Sequence, residues 1–220
     1  MNRTLPRLVA ALGAAAIVLG GATACFSPVV APVETPKPSG FGGIGGTPTV
    51  TPTGDPVQPE TPTGDLVSLV DDTQHLTVQV PASWSDVDGS PFTDGNGVAW
   101  IAITAAPNID DYYSRWDVPG VDVYATDDPS VTVEDLLPRL GSAFDEPCTV
   151  EDFGTSYSDS VYTGIAAAYT GCGGTDTAVL TVAAAADDGT HVVGIIIQAV
   201  TTDDQTVVTE AILNSFLASF

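Results

Sequence analysis

Residues 65–220 are predicted to form an α+β domain in which an antiparallel β-sheet packs against a few helices. Three observations support this fold class. Residues 75–80 (HLTVQV) alternate apolar and polar side chains with a period of two, which is typical of a half-buried strand. Longer apolar, β-branched runs follow in the second half of the domain, separated by short turns. The last residues carry an apolar stripe at helical spacing.

The first half of the domain contains further predicted strands and a short helix. Residues 98–105 and 121–125 are rich in apolar and β-branched side chains, which strands favour. Pro107 and Asn108 are predicted to begin a short helix that continues through Trp116, where Asp110 and Asp111 fall in the first turn and interact favourably with the helix dipole. The first half of the domain is therefore predicted to contain both strands and helices.

Two more helices are predicted from their start signals. Thr132, followed by acidic residues, is expected to begin a helix that Pro138 ends or kinks, because proline lacks an N–H and clashes with the preceding turn. Thr202 is expected to cap the last helix of the domain. The apolar stripe of this helix is predicted to face the core and consists of Val207, Val208, Ala211, Ile212 and Phe216.

The second half of the domain predicts an antiparallel meander. Residues 161–170, 178–186 and 191–200 are apolar runs of strand length. Turn sequences at residues 172–174 (CGG) and 187–189 (DDG) separate them. Turns this short join neighbouring antiparallel strands, so the three runs are expected to pair in order.

The chain before residue 65 is predicted to contain two segments that are not part of the fold. Residues 1–24 have the form of a secretory signal peptide, with Arg3 and Arg7, an apolar stretch and a small-residue cleavage site. Residues 25–64 are predicted to be a disordered tether, because the stretch from residue 26 to 64 holds nine prolines and seven glycines and almost no apolar run. The tether is interpreted as a spacer between membrane and domain.

The three cysteines predict one disulfide and one modified residue. An exported protein tends to pair its cysteines, and Cys148 with Cys172 forms the expected pair. Cys25, at the cleavage point, resembles the lipobox cysteine of bacterial lipoproteins. That resemblance implies lipidation of Cys25, including a palmitate-type acyl chain, and anchoring to the outer face of the cell membrane. Ala22 replaces the usual leucine of that motif, so cleavage after Ala24 by an ordinary signal peptidase, with secretion, stays open.

The charge of the chain excludes one class of partner. After residue 24 the chain has three lysines and arginines against 28 aspartates and glutamates, a formal charge of −25. Nucleic acids and anionic lipid surfaces are polyanions whose binding depends on lysine and arginine. We therefore expect no nucleic-acid partner, and contact with the membrane only through the N-terminal lipid.

No catalytic residue is predicted. The chain has two histidines, His75 and His191, both at the starts of predicted strands, and it lacks a Gly-x-Ser-x-Gly elbow. Ser156 lies in a loop-like sequence without a predicted base. The alternative of an envelope hydrolase with paired carboxylates stays open, because acidic residues are abundant.

No metal site or cofactor is predicted, although two groups of residues stand out. An acidic, glycine-rich segment at residues 86–97 is the best candidate for calcium, but it lacks the spacing and terminal glutamate of an EF-hand. A group of aromatic residues would either fill the core or line a ligand pocket. These residues are Trp84, Trp100, Trp116, Tyr112 and Tyr113.

Several phrases of the domain together resemble a known extracytoplasmic module. They are Asp71-Asp72-Thr73, Leu76-x-Val78-x-Val80-Pro81-x-x-Trp84, Trp116-x-x-Pro119-Gly120-Val121, Cys148 and Gly171-Cys172-Gly173. The domain resembles an actinobacterial module found in lipoproteins and appended to some serine/threonine kinases and trypsin-like proteases, with a Mog1/PsbP-like fold. The resemblance implies an accessory binding or assembly role without shared catalytic residues.

The combined expectation is a membrane-anchored extracytoplasmic lipoprotein with a non-catalytic domain. The domain is expected to be a monomer that binds an envelope protein or a small ligand, at residues that the sequence does not identify. A small-ligand or lipid carrier is the further alternative, and it would require an apolar cavity between sheet and helix.

Overall fold

The computed structural model describes residues 65–220. Residues 1–64, with Cys25 and the predicted signal peptide and tether, lie outside the described residues. The described strands are β1 (Leu66–Val70), β2 (Leu76–Pro81), β3 (Asp86–Asp88), β4 (Phe92–Thr93), β5 (Ala99–Ala106), β6 (Gly120–Thr126), β7 (Thr149–Ser158), β8 (Tyr162–Thr170), β9 (Ala178–Ala186), β10 (Val192–Ala199) and β11 (Leu217–Ala218). The described α-helices are α1 (Ile109–Ser114), α2 (Val133–Gly141) and α3 (Thr209–Leu213), and a π-helical turn (Asp204–Val208) runs directly into α3.

The predicted α+β class with an antiparallel sheet is confirmed. The large sheet has the strand order β3-β5-β6-β10-β9-β8-β7, and β4 adds to β5. Every neighbouring pair in it is antiparallel. The predicted meander is present as β8, β9 and β10, with Ile195 of β10 opposite Val182 of β9. Strand β6 from the first half pairs with the free side of β10 and joins the two halves into one sheet.

One face of the large sheet is covered by a small sheet and the C-terminal helix. The small sheet has the order β1-β2-β11. Its central strand alternates buried and more exposed side chains, as the period-two pattern predicts, and Leu76, Val78 and Val80 are buried in the core. Ile212 and Phe216 of the C-terminal segment enter the same core. Burying such apolar side chains is the main driving force for this packing.

The opposite face of the large sheet is covered by α1 and α2. Helix α2 buries Leu136, Leu137 and Leu140, and Val179 and Ala183 of β9 belong to the same core cluster. Helix α1 is capped by the side chain of Asn108, which accepts a hydrogen bond from the N–H of Asp111. The sheet is therefore buried on both faces at its centre, while the edge strand β7 is largely exposed.

The predicted disulfide between Cys148 and Cys172 is present, with the two Sγ atoms 2.07 Å apart. Cys172 is fully buried. The ring of Trp116 lies where a side chain on Gly173 would be, since an added Cβ would come within 2.0 Å of that ring. Gly173 also has a φ of 62°, a left-handed conformation that favours glycine.

Two helix predictions need correction. Helix α2 begins after Thr132 as predicted, but it continues through Pro138 to Gly141. Pro138 and Glu134 lie on the exposed side of the helix, where water can replace the hydrogen bond that proline removes. The last helix is capped by Thr201 rather than Thr202, because Thr201 Oγ1 accepts the N–H of Asp204 and the Asp204 carboxylate accepts the N–H of Thr201.

Within residues 65–220 no helix is long and apolar enough to cross a membrane.

Candidate functional site

Asp122, the third residue of β6, is a buried carboxyl in the interior. Its side chain is 3% exposed. One carboxyl oxygen accepts hydrogen bonds from Thr104 Oγ1 at 2.7 Å and from the Tyr113 hydroxyl at 2.9 Å. The other accepts one from the Tyr112 hydroxyl at 3.1 Å. Burial raises the pKa of Asp122, and the hydroxyl donors only partly oppose this rise.

Local sequence brings these groups together. Thr104 of β5 lies directly opposite Asp122 in the strand register. The two tyrosines come from α1, which lies over these strands, and Gly120 leaves room for the Tyr112 ring: a Cβ there would be 2.5 Å from it. Burial and the nearby Asp122 carboxyl raise the pKa of Tyr113, so its hydroxyl stays a donor. The cluster fastens α1 to the sheet; all its oxygens have partners, which leaves no group poised as a base for a substrate.

His191 is built into the fold at the opposite end of the strands. It is 7% exposed, with Nε2 3.2 Å from the Tyr162 hydroxyl and Nδ1 2.8 Å from Thr190 Oγ1. Burial lowers the pKa of His191, and Asp188 partly opposes that effect. The Tyr162 hydroxyl in turn accepts the N–H of Ala218 at 2.9 Å. His191 thus helps to hold the last strand in place.

His75 lies at the same end of the domain. Its Nδ1 is 2.8 Å from the carbonyl oxygen of Ser219. The ring of Phe220 stacks on His75 with centroids 6.5 Å apart and contacts His191 at 5.2 Å. Ser156 lies exposed in β7 and is hydrogen-bonded to neither histidine among the described residues. The structure therefore assembles no serine–histidine pair from these three residues.

A shallow groove of about 360 Å³ opens where β4 and β5 meet the C-terminal residues. Its wall is mostly apolar and aromatic: Phe92 stacks on Trp100 with centroids 6.4 Å apart, and Phe220 is 51% exposed. Asp127 is the one acidic residue in the lining. The full lining is Pro91, Phe92, Thr93, Ala99, Trp100, Ile101, Asp127 and Phe220. This groove is the candidate binding site.

The acidic, glycine-rich segment at residues 86–97, the minor candidate for calcium, makes contacts within the fold. Asp86 accepts the N–H of Ile109 at 2.8 Å, next to the start of α1. Asp94 accepts the N–H of Asn96 and of Val98 and lies 3.6 Å from the Arg139 guanidinium. Within residues 65–220 no group of three or more histidine, cysteine, aspartate or glutamate side chains is placed to hold a metal ion. The calcium candidate has no geometric support.

The five predicted aromatic residues do not form one pocket. Trp84 and Trp100 are buried in the cores on opposite faces of the large sheet. Tyr112 and Tyr113 bind Asp122, and Trp116 packs at the disulfide loop. Trp100 also lines the groove. Trp100 is therefore both a core residue and a lining residue of the groove.

The electrostatic surface of the domain is strongly acidic. Residues 65–220 contain two arginines against 25 aspartates and glutamates. Both arginines are already engaged: Arg115 binds Asp117 through two hydrogen bonds of 2.9 and 2.7 Å, and Arg139 lies beside Asp94. The groove therefore lies on a surface with little positive charge to offer an anionic ligand.

Sequence reasoning missed the Asp122 cluster and the groove. A signal existed for the first, because Asp122 is a lone acid within an apolar strand, and a buried carboxyl needs donors. Phe92 and Phe220 gave no periodic signal, since one lies in a two-residue strand and the other follows the last strand.

No protein-family model matches the chain, and no curated protein or solved structure is significantly similar to it.

Proposed function

We propose that this chain is an extracytoplasmic lipoprotein, anchored through Cys25, whose domain is a non-catalytic binding module for a protein partner or envelope ligand. The domain would have a Mog1/PsbP-like fold. The observation that carries the binding role is the groove lined by the partly exposed Phe92, the exposed Phe220 and the buried Trp100, together with the exposed Asp127. Aromatic surface with a few polar groups is characteristic of binding sites.

The contacts of the other reactive groups favour binding over catalysis. Asp122 is saturated with hydroxyl donors, and His191 is bonded to Tyr162 and Thr190. A general base needs access to the proton that it removes, and both groups are buried. The candidate groove itself contains a single carboxylate, Asp127, and neither of the two histidines.

The disulfide supports the proposed location outside the cytoplasm. Cys148 and Cys172 are bonded to each other, and such bonds persist in oxidising compartments. Location and lipidation are tested together by substituting Cys25→Ser and labelling cells with an alkyne analogue of palmitate. We expect the native protein to be labelled and to fractionate with the membrane, and the variant to be unlabelled and released. A labelled variant would contradict the anchor.

Binding at the groove is tested by site-specific cross-linking in the protein's own cells. Thr93 lines the groove and is exposed, so a photoreactive p-benzoyl-phenylalanine at that position should capture whatever occupies it. The matched control carries the same group at Ser156, which is exposed in β7 at the far edge of the sheet. One discrete adduct from Thr93 and none from Ser156 supports the proposal; equal adducts at both positions, or none at Thr93, would refute it.

A further inference from the structure

We propose that the groove receives a lysine or arginine side chain of a protein partner, with its aliphatic stem against the aromatic wall and its cationic group at Asp127. This inference rests on the proposed binding function and specifies the chemistry of the partner. Both kinds of contact that such a side chain needs are present in the lining of the groove: the aromatic residues Phe92, Trp100 and Phe220, and the carboxylate of Asp127.

The aromatic wall matches the apolar part of these side chains. Lysine and arginine bury three or four methylene groups along apolar surface while their charged ends stay near water. Cations are also attracted to aromatic faces, and arginine stacks on them. Phe92, which is partly exposed and stacks on the buried Trp100, and the exposed Phe220 provide such a wall. A groove of about 360 Å³ is at the small end of ligand pockets, which suits one side chain better than a lipid tail.

The charge of the site selects a cation. Asp127 is exposed and makes no ion pair among the described residues. By contrast, Asp94 and Asp117 are paired with Arg139 and Arg115. The surrounding domain adds a large excess of acidic residues, which raises the local concentration of cationic groups and speeds their encounter. An anionic side chain would meet repulsion at the same place.

Phe220, one residue of this wall, is held in position by the two histidines. Phe220 lies between His75 and His191, in ring contact with each. Phe220 is 51% exposed and lines the groove together with Phe92. A side chain held in this way loses little conformational freedom when a ligand binds, which favours affinity.

The test uses the full-length protein and the probe peptide acetyl-Gly-Gly-Arg-Gly-Gly-amide, followed through the indole N–H signal of Trp100 in 15N NMR. A second peptide carries citrulline, which has nearly the same shape as arginine without its charge. We expect the arginine peptide to shift the Trp100 signal and to bind at least about fivefold more tightly than the citrulline peptide. Because this comparison changes only the probe, it does not depend on folding of a variant.

The matched variants are Asp127→Asn and Asp152→Asn. Asp152 is exposed in the distant edge strand β7, so both variants lose one charge but only one loses the groove carboxylate. We expect Asp127→Asn to weaken the arginine peptide about fivefold and Asp152→Asn to change it less than twofold. Equal weakening by both variants would show general attraction only and overturn the inference.

The remaining outcomes separate this inference from the binding function. If the citrulline and arginine peptides bind equally at Trp100, the groove is still a binding site, but its preference for a cation is refuted. Tighter binding of free choline than of the arginine peptide would also overturn the inference, in favour of a small cationic ligand. If no peptide moves the Trp100 signal while Thr93 cross-links a partner in cells, only the inference fails; if Thr93 captures nothing, the proposed function fails as well.

Discussion

Tyr162 and His191 form a buried relay that holds the last strand of the domain. The Tyr162 hydroxyl accepts the N–H of Ala218 in β11 and lies 3.2 Å from Nε2 of His191. With the imidazole proton on Nδ1, His191 donates to Thr190 and accepts from Tyr162, so every polar atom of the relay is satisfied. A second proton on the ring would put two donors between His191 and Tyr162.

Stability is predicted to fall in mildly acidic solution because of His191. Its pKa in the folded protein is lowered below 6.5, chiefly by burial. Below pH 6.5 the unfolded chain therefore takes up a proton that the folded protein does not, and the free energy of unfolding decreases until the folded pKa is reached. The His191 contribution is measured by urea denaturation at pH steps from 7.5 to 5, as the difference between the native protein and His191→Gln, because the opposing contribution of Asp122 is present in both proteins.

His75→Gln is the control for the loss of a histidine at the same end of the domain. The groups that face His191 are Tyr162, Thr190, Asp188 and the Phe220 ring. Aspartates such as Asp188 and Asp71 have lowered pKa values, so their stabilisation is lost below about pH 4, outside this window. A native protein and a His191→Gln variant with parallel pH profiles from 7.5 to 5 would disprove the relay's role.

The Asp122 cluster predicts the opposite pH dependence. The pKa of this buried carboxyl is raised above 3.8, so as the pH rises past 3.8 the unfolded chain ionises first and the folded protein loses relative stability. Asp122→Asn keeps an acceptor oxygen for Thr104 and Tyr113 but does not ionise. We therefore expect the unfolding free energy of Asp122→Asn, relative to that of the native protein, to increase as the pH is raised from 3.5 to 7.

Removal of the carboxyl group tests its role as an anchor for α1. Asp122→Ala removes the carboxylate that accepts hydrogen bonds from the hydroxyls of Thr104, Tyr112 and Tyr113. The Thr104 and Tyr113 hydroxyls lie 3.0 Å apart and can still pair with each other. At about 1 kcal/mol for each hydrogen bond lost, the variant should lose roughly 2–3 kcal/mol of unfolding free energy. Tyr113→Phe removes one donor and should cost about 1 kcal/mol. Equal losses from the two variants, measured by urea denaturation, would contradict the cluster.

The strands and helices that the sequence predicted share a strong local pattern. Residues 75–80 alternate with a period of two, and the three meander runs are long, apolar and β-branched. Strand β7, by contrast, has mostly polar side chains and pairs on one side only, with register shifts between Val150 and Asp152 and between Phe153 and Thr155. Such an irregular edge strand lacks the alternation that a buried face imposes.

The candidate groove could not be predicted from the sequence, for a different reason. Phe92 and Phe220 are far apart in the chain, and they line one groove only because β11 returns to pair with β2 while β4 folds onto β5. Strand β11 has two residues, too few for any periodic signal. The pairing of Cys148 with Cys172 was predictable because the expected export and the count of cysteines limit their partners.

The disulfide is predicted to stabilise the domain substantially. Cys148 and Cys172 are 24 residues apart, and closing a loop of that length contributes about 3 kcal/mol in the chain-entropy model. Urea denaturation with and without dithiothreitol should show a loss of this size for the native protein. The double variant Cys148→Ala/Cys172→Ala should be destabilised similarly and should not respond to the reductant. A native protein whose unfolding curve is unchanged by reduction of the bond would contradict this prediction.

Gly120 is predicted to be essential for the seating of α1 because it has no side chain. A Cβ at this position would lie 2.5 Å from the Tyr112 ring, whereas a Cβ on Gly95 would meet nothing within 4 Å. Gly120→Ala must therefore displace Tyr112 from Asp122, and overpacking of this kind costs about 1–3 kcal/mol. Gly95→Ala, the matched control in an exposed turn, should change the unfolding free energy by less than about 0.5 kcal/mol. Thermal denaturation of both variants measures the difference. If Gly120→Ala and Gly95→Ala have the same melting temperature, the Tyr112 ring has room to move, and the close packing of α1 on β6 is not required for stability.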